Sequence, residues 1–329
     1  MGMRTVAILL LILITGCTCP NKYFPQENPP PMPLCPEVNR PVRVALVLGS
    51  GGAKGFAHVG VLEEFEKANI PIDLIVGCSA GSLVGCLYAD CPRYERLKSL
   101  LPLMNSNFLL DLNIWKARYG LCQGRSMRKF LCDNLQAKAF DELKIPFFTV
   151  ATDLCNGELV AIGGGPIAPA VEASCAIPLV FAPVELHGRV FVDGGVIDPV
   201  PVRIASFFEP EIIVAVDLQN LLPRTFPVNL FGVAKRSAEI NFMWQSESCI
   251  KGADVVIKPK LRDIGTFDDE YCNYIYYAGR AAARKAIPQI KELLECKGFT
   301  IPPVQLEEQN EHILELLDYI VLEASLAAE

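Results

Sequence analysis

The chain has 329 residues, 51% of them hydrophobic and 20% charged, which excludes a disordered protein and fits one large α/β domain. Its formal net charge of -7 comes without a long basic run, so the electrostatic footprint of a nucleic-acid binder is missing. The 13 cysteines form no C-x-x-C pair and only 3 histidines occur (His58, His187 and His312), so no metal and no cofactor is expected.

At the N-terminus, Arg4 precedes an apolar run over residues 6–14 that is too short to cross a bilayer as a helix. It has the pattern of a signal peptide, here residues 1–16. The end of that segment, Ile14-Thr15-Gly16-Cys17, resembles the lipobox of bacterial lipoproteins. The resemblance implies cleavage before Cys17, acylation of that residue and an exported protein held on a membrane of the bacterial cell envelope. An ordinary secretory signal with an incidental cysteine is the alternative. Residues 17–41 are rich in proline (Pro29, Pro30, Pro31 and Pro33 among others) and lack apolar periodicity, so they are expected to form a spacer. An arm lying on the domain is the other reading. Cys78, Cys86, Cys132, Cys155 and Cys175 fall in apolar strand-like or helix-like segments and are expected as buried free thiols.

The first chemical signal follows Val42-Arg43-Val44-Ala45-Leu46-Val47-Leu48, a β-rich run that leads into Gly49-Ser50-Gly51-Gly52-Ala53-Lys54-Gly55. A helical pattern with Val59, Leu62 and Phe65 on one face comes next. A glycine loop between strand and helix offers several backbone N–H groups to an anion, whether a phosphate or a transient oxyanion. It is not a P-loop, because Gly55 rather than Ser or Thr follows Lys54, and it misses the dinucleotide spacing.

One strand-helix unit later, Ile72-Asp73-Leu74-Ile75-Val76 runs into Gly77-Cys78-Ser79-Ala80-Gly81, and an apolar helix with Leu83, Val84, Leu87 and Tyr88 follows. G-x-S-x-G between a strand and a helix makes a sharp turn that lifts a serine hydroxyl above the sheet. Ser79 is therefore the candidate nucleophile. For its base, the histidines have poor settings: His58 precedes the serine on a helix, His187 lies in a Glu-Leu-His-Gly turn, and His312 lies in a polar tail. Arg189-Val190-Phe191-Val192 instead delivers Asp193-Gly194-Gly195, a carboxylate at a strand end. A purely structural Asp-Gly turn is the competing reading.

Taken together, the glycine loop 49–55, the G-x-S-x-G turn 77–81 and Asp193-Gly194-Gly195, with Ala173-Ser174-Cys175-Ala176-Ile177-Pro178 in support, resemble the patatin-like phospholipases, and more closely their bacterial branch. The likeness runs from about Val42 to about Leu294. It implies a three-layer α/β/α fold with a mostly parallel central sheet, and a Ser79–Asp193 dyad with no histidine. It also implies an oxyanion hole from the backbone of Gly51 and Gly52 with Lys54 nearby, and a phospholipid or other acyl-lipid substrate. Ser50 stands where the family often has glycine, a change that keeps the N–H groups.

The resulting division is 1–16 signal peptide, 17–41 lipidated cysteine and spacer, 42–300 phospholipase domain and 301–329 helical tail. Between the motifs, residues 100–119 carry many large apolar side chains and are expected as helical cap material beside an acyl pocket or as ordinary core. Three functions stay open: a lipid acyl hydrolase, a Ser-His-Asp esterase with His312 as base, and a non-catalytic anion-binding lipoprotein.

Overall fold

The computed structural model describes residues 23–33, 37–38, 41–104, 109–112, 118–219, 226–261, 264–266 and 268–302. The stretches expected as a signal peptide and as a helical tail, with Cys17 and His312, lie outside these residues. In chain order the strands are β1 (Val44–Leu48), β2 (Leu74–Cys78), β3 (Gly120–Cys122), β4 (Phe147–Asp153), β5 (Leu159–Ile162), β6 (Leu179–Phe181), β7 (Val184–Leu186), β8 (Arg189–Asp193), β9 (Ile212–Val216) and β10 (Val255–Ile257). The helices are α1 (Phe56–Lys67), α2 (Ala80–Asp90), α3 (Tyr94–Leu100), α4 (Arg125–Asn134), α5 (Ile167–Ser174), α6 (Val202–Ser206), α7 (Leu230–Cys249) and α8 (Cys272–Cys296).

The main sheet has the order β10-β9-β1-β2-β4-β8-β7, with β5 paired to β4 off that path. Its β10, β9, β1, β2 and β4 run parallel, whereas β5 and β8 pair antiparallel with β4. The parallel strands are short, continuous apolar runs buried on both faces, as strands sandwiched between helices must be. Side-chain alternation divides them: Val44, Leu46 and Leu48 join the core under α1, α2 and α8, while Ala45 and Val47 join the second core with Val202 and Ala205 of α6. This is the expected α/β/α architecture.

Helix α8 packs along α1 through a buried ionic cluster in which Arg280 Nε donates to Glu64 Oε1 at 2.6 Å and Arg284 Nε donates to Glu64 Oε2 at 2.7 Å. The cluster fixes α1, and α1 in turn fixes the loop that precedes it.

Three sequence-based expectations change. First, β2 extends to Cys78, because Gly77 and Cys78 pair with Thr149 and Val150. Ile72 and Asp73 lie before the strand, where the Asp73 carboxylate accepts from the Arg43 guanidinium at 2.6 Å and from the Arg43 N–H at 2.8 Å. Ser79 is therefore the first residue past the strand. Second, the proline-rich stretch is not a free spacer over residues 23–33. The Tyr23 hydroxyl donates to the Pro183 carbonyl at 2.7 Å, its ring meets Tyr119 edge to face at 5.0 Å, and the Gln26 N–H donates to the Gly188 carbonyl at 2.8 Å. Third, Cys78, Cys86 and Cys175 are buried thiols as expected, but Cys132 and Cys155 are exposed. Cys132 faces away from the core on the amphipathic α4, and Cys155 sits in the turn between β4 and β5.

Candidate active site

Ser79 stands between β2 and α2 with φ 54° and ψ -120°. A left-handed φ is costly for a side chain other than glycine and persists where the surroundings enforce it. The enforcement comes from below: a Cβ on Gly81 would run into the Leu48 carbonyl, so only glycine lets α2 start this close to the end of β1. The serine is 4% exposed and occupies the N-cap position of α2 without a capping hydrogen bond from its side chain, at the helix end where the dipole favours negative charge.

Asp193 ends β8 and is 3% exposed. Strand order brings it to Ser79: β4 separates β2 from β8, Val150 pairs with Cys78, and the neighbouring Ala151 pairs with Asp193. The carboxylate accepts the Gly195 N–H at 2.7 Å and the Cys78 thiol at 3.9 Å, and the Ser79 side chain lies close enough to lower its pKa. Burial pushes its pKa up to about 6, and those hydrogen bonds hold it from rising further. A carboxylate with that value is still ionised at neutral pH and is more basic than an exposed aspartate. That combination suits proton removal from a serine.

The glycine loop forms a 3-10 turn over Gly52–Gly55, followed directly by α1. Ser50 N–H donates to the Pro199 carbonyl at 2.8 Å and Ala53 N–H to the Thr266 carbonyl at 2.8 Å. Among the described residues the N–H groups of Gly51 and Gly52, between those two, have no partner. Lys54 is half-buried in the same turn.

A cavity of about 90 Å³ starts at Ser79 and Gly52 and continues along α2 past Leu83 and Val84 to Met104, Leu109, Met127 and Phe181. Gly51, Lys54 and Asp193 are not on its wall. Its lining is overwhelmingly apolar, with Thr266, Asp269 and the Cys175 thiol as the polar exceptions besides Ser79. Met104, Leu109 and Leu110 come from the segment expected as cap material, of which residues 105–108 and 113–117 lie outside the described residues.

Neither described histidine fits the role of base. His58 is fully buried, its Nε2 is 2.8 Å from the Gly49 carbonyl, and burial lowers its pKa to about 4. It pins the start of the glycine loop. His187 occupies the β7–β8 turn with φ 50°, a whole strand away from Asp193, about 13 Å at ~3.3 Å per residue. Ser174 and Cys175, to which the sequence pattern assigns no role, both bond to the backbone of Ser79. Among the described residues no group of His, Cys, Asp and Glu side chains has the arrangement to hold a metal ion.

A doubly covered, mostly parallel sheet with a serine on a strained strand-to-helix turn places the chain in the broad class of α/β folds with a central sheet flanked by helices. Residues 46–206 match the family model of the patatin-like phospholipases, so that stretch of the chain is similar to a patatin-like phospholipase domain. An uncharacterized NTE family protein of Mycobacterium bovis is 36% identical over 180 residues, covering 54% of this chain and 49% of that protein. Lysophospholipase nte1 of Aspergillus fumigatus is 30% identical over 297 residues, covering 81% of this chain and 19% of the fungal one. This chain thus spans about half the length of the mycobacterial relative and far less of the fungal one. Among solved structures, VipD from Legionella pneumophila aligns over 75% of this chain and 67% of its own, at 13% identity and a TM-score of 0.46.

Proposed function

We propose that the protein is a serine acyl hydrolase of membrane lipids, of the phospholipase A or lysophospholipase type, working through Ser79 and Asp193 alone. The observation that carries this reading is the buried Asp193 carboxylate, which strand order brings beside Ser79, itself on the wall of an apolar cavity. Ser79 Oγ attacks the ester carbonyl while Asp193 takes its proton, and the carbonyl oxygen becomes an oxyanion. The N–H groups of Gly51 and Gly52, with the Lys54 charge close by, stabilise that oxyanion. Collapse of the tetrahedral species returns the proton to the leaving alcohol, and water then repeats the sequence on the acyl-enzyme to release a fatty acid. The acyl chain lies against Leu83, Val84 and Met127. No step needs a metal or a cofactor.

The test is incubation of the purified protein with a mixed lipid extract, identifying which species lose an acyl chain, alongside labelling by a fluorophosphonate probe. Loss of acyl chains that depends on Ser79 supports the reading, and an unlabelled, inactive folded protein removes it in favour of an anion-binding role.

The acid limb of the pH profile supplies a second check. Because Asp193 must be ionised to accept the proton, kcat/KM should climb with pH through about 6 and level off above pH 7. Asp193→Glu or Asp193→Asn should move or abolish this limb, and a wild-type profile flat from pH 4.5 to 8 would contradict the assignment.

We further propose that Cys17 carries an acyl anchor that keeps the domain at a membrane surface, on the strength of the Ile14-Thr15-Gly16-Cys17 pattern. Acyl chains contribute about 0.8 kcal/mol per buried CH₂, so a multiply acylated form partitions into detergent. Cys17→Ser should stay in the aqueous phase or accumulate as an uncleaved precursor. Identical partitioning of both forms would leave no tether.

A further inference from the structure

Ser79 and Asp193 stand at the ends of β2 and β8, strands that are not neighbours because β4 lies between them. A second connection joins the pair outside the sheet. The Ser79 N–H donates to Ser174 Oγ at 2.9 Å, the Cys175 thiol donates to the Ser79 carbonyl at 3.1 Å, and the Asp193 N–H donates to the Ala176 carbonyl at 2.9 Å. Three consecutive residues at the end of α5 therefore hold the backbone of both partners.

The bridge is itself anchored. Ser174 Oγ is 2.9 Å from Ser82 Oγ, and Ser82 Oγ is 2.5 Å from Thr149 Oγ1 on β4, the intervening strand. All three hydroxyl residues are 0% exposed, so water offers no alternative partner. Without the bridge, little besides the start of α2 would keep the strained Ser79 backbone from relaxing. The capture of the Ser79 N–H by Ser174 also removes it from the donors available to an oxyanion.

We infer that Ser174, Cys175 and Ala176 form a positioning bridge that sets the separation of the Ser79 hydroxyl from the Asp193 carboxylate. The inference rests on the Ser79–Asp193 reading above. Ser174 is a positioning residue: its hydroxyl meets the backbone of the nucleophile, not the reacting atoms, and it is not on the cavity wall. A misplacement of about 1 Å costs roughly 10²-fold in rate, so the bridge acts on turnover and not on binding.

The experiment compares Ser174→Ala, Ser174→Thr, Cys175→Ala and Cys175→Ser in the full chain, with a nitrophenyl ester as substrate and a fluorophosphonate as probe. Ser174→Ala should lower kcat by about 10²-fold with KM within about two-fold of wild type. It should also shift the acid limb of the profile upward, since the Ser79 side chain, which lowers the Asp193 pKa, is then displaced. Ser174→Thr, which keeps the acceptor, should recover most of the rate. Where the Ser174 variants do not fold, Cys175→Ser, which keeps a donor, should exceed Cys175→Ala in kcat. Wild-type kcat in folded Ser174→Ala, or in both Cys175 variants, overturns the bridge. Ser79→Ala measured in parallel separates the two claims: labelling that persists there defeats the dyad itself, whereas labelling lost there but normal in Ser174→Ala defeats only the bridge.

Discussion

Replacing Ser79 with alanine should lower lipid-ester turnover by about 10⁴ or more, and Asp193→Asn should lower it by a comparable factor. The first change removes the nucleophile and the second removes the base with almost no change in volume. Because the two act as one unit, the double variant should be scarcely slower than the worse single one. Fluorophosphonate labelling should vanish in Ser79→Ala and slow strongly in Asp193→Asn, where the serine is present but not activated. His312→Ala should keep most of the activity, and a loss of about 10⁴ in its kcat would favour a Ser-His-Asp esterase instead.

Stability separates a catalytic Asp193 from a structural one. Its folded pKa of about 6 lies above the 3.8 of an exposed aspartate, so the fold favours the neutral carboxyl. That contribution is fully present below pH 3.8 and is lost as pH rises through about 6, leaving the ionised form at a cost on the order of 3 kcal/mol at pH 8. An amide carries no such cost and can still accept the Gly195 N–H. Asp193→Asn should therefore unfold at no lower a temperature than wild type at pH 8, with its advantage shrinking toward pH 4. A variant that is inactive because it is unfolded would show the reverse.

The pattern of residues shows why the central features were legible in the sequence. Ser79 directly follows a short buried strand, Asp193 ends one, and both sit among glycines, so local pattern alone marks them, and the strand-loop-helix order of residues 42–90 translates directly into β1, α1, β2 and α2. The bridge at residues 174–176 was not legible as such, because its partners lie 95 and 96 positions away along the chain and only the strand order brings them together. The exposure of Cys132 depends on which side of α4 meets the core, and that of Cys155 on a turn, neither of which local hydrophobicity fixes. The docked arm likewise depends on Pro183 and Gly188, acceptors far along the chain that proline content cannot reveal.

The glycine loop should prove nearly as important as the dyad, and Gly52→Ala is the variant that shows it. Gly52 has φ 59°, a region that costs other residues about 1 kcal/mol, and a Cβ there would collide with the Thr266 carbonyl, the acceptor of the Ala53 N–H. The loop can admit the methyl group only by moving away from Thr266, which breaks the Ala53 bond and turns the Gly51 and Gly52 N–H groups from their present direction. Removing one oxyanion donor typically costs about 10²–10³ in kcat, and two donors are disturbed here, so a loss of at least about 10² is expected while KM changes little. Stability should fall by only about 1–2 kcal/mol, since the strain and one hydrogen bond are all that is lost on the folded side. Lys54→Ala serves as the comparison, because it removes the nearby charge and leaves the backbone path intact. If Lys54→Ala loses as much kcat as Gly52→Ala, the charge carries the stabilisation. If folded Gly52→Ala turns over at the wild-type rate, the loop is no oxyanion hole and its unpaired N–H groups serve another purpose.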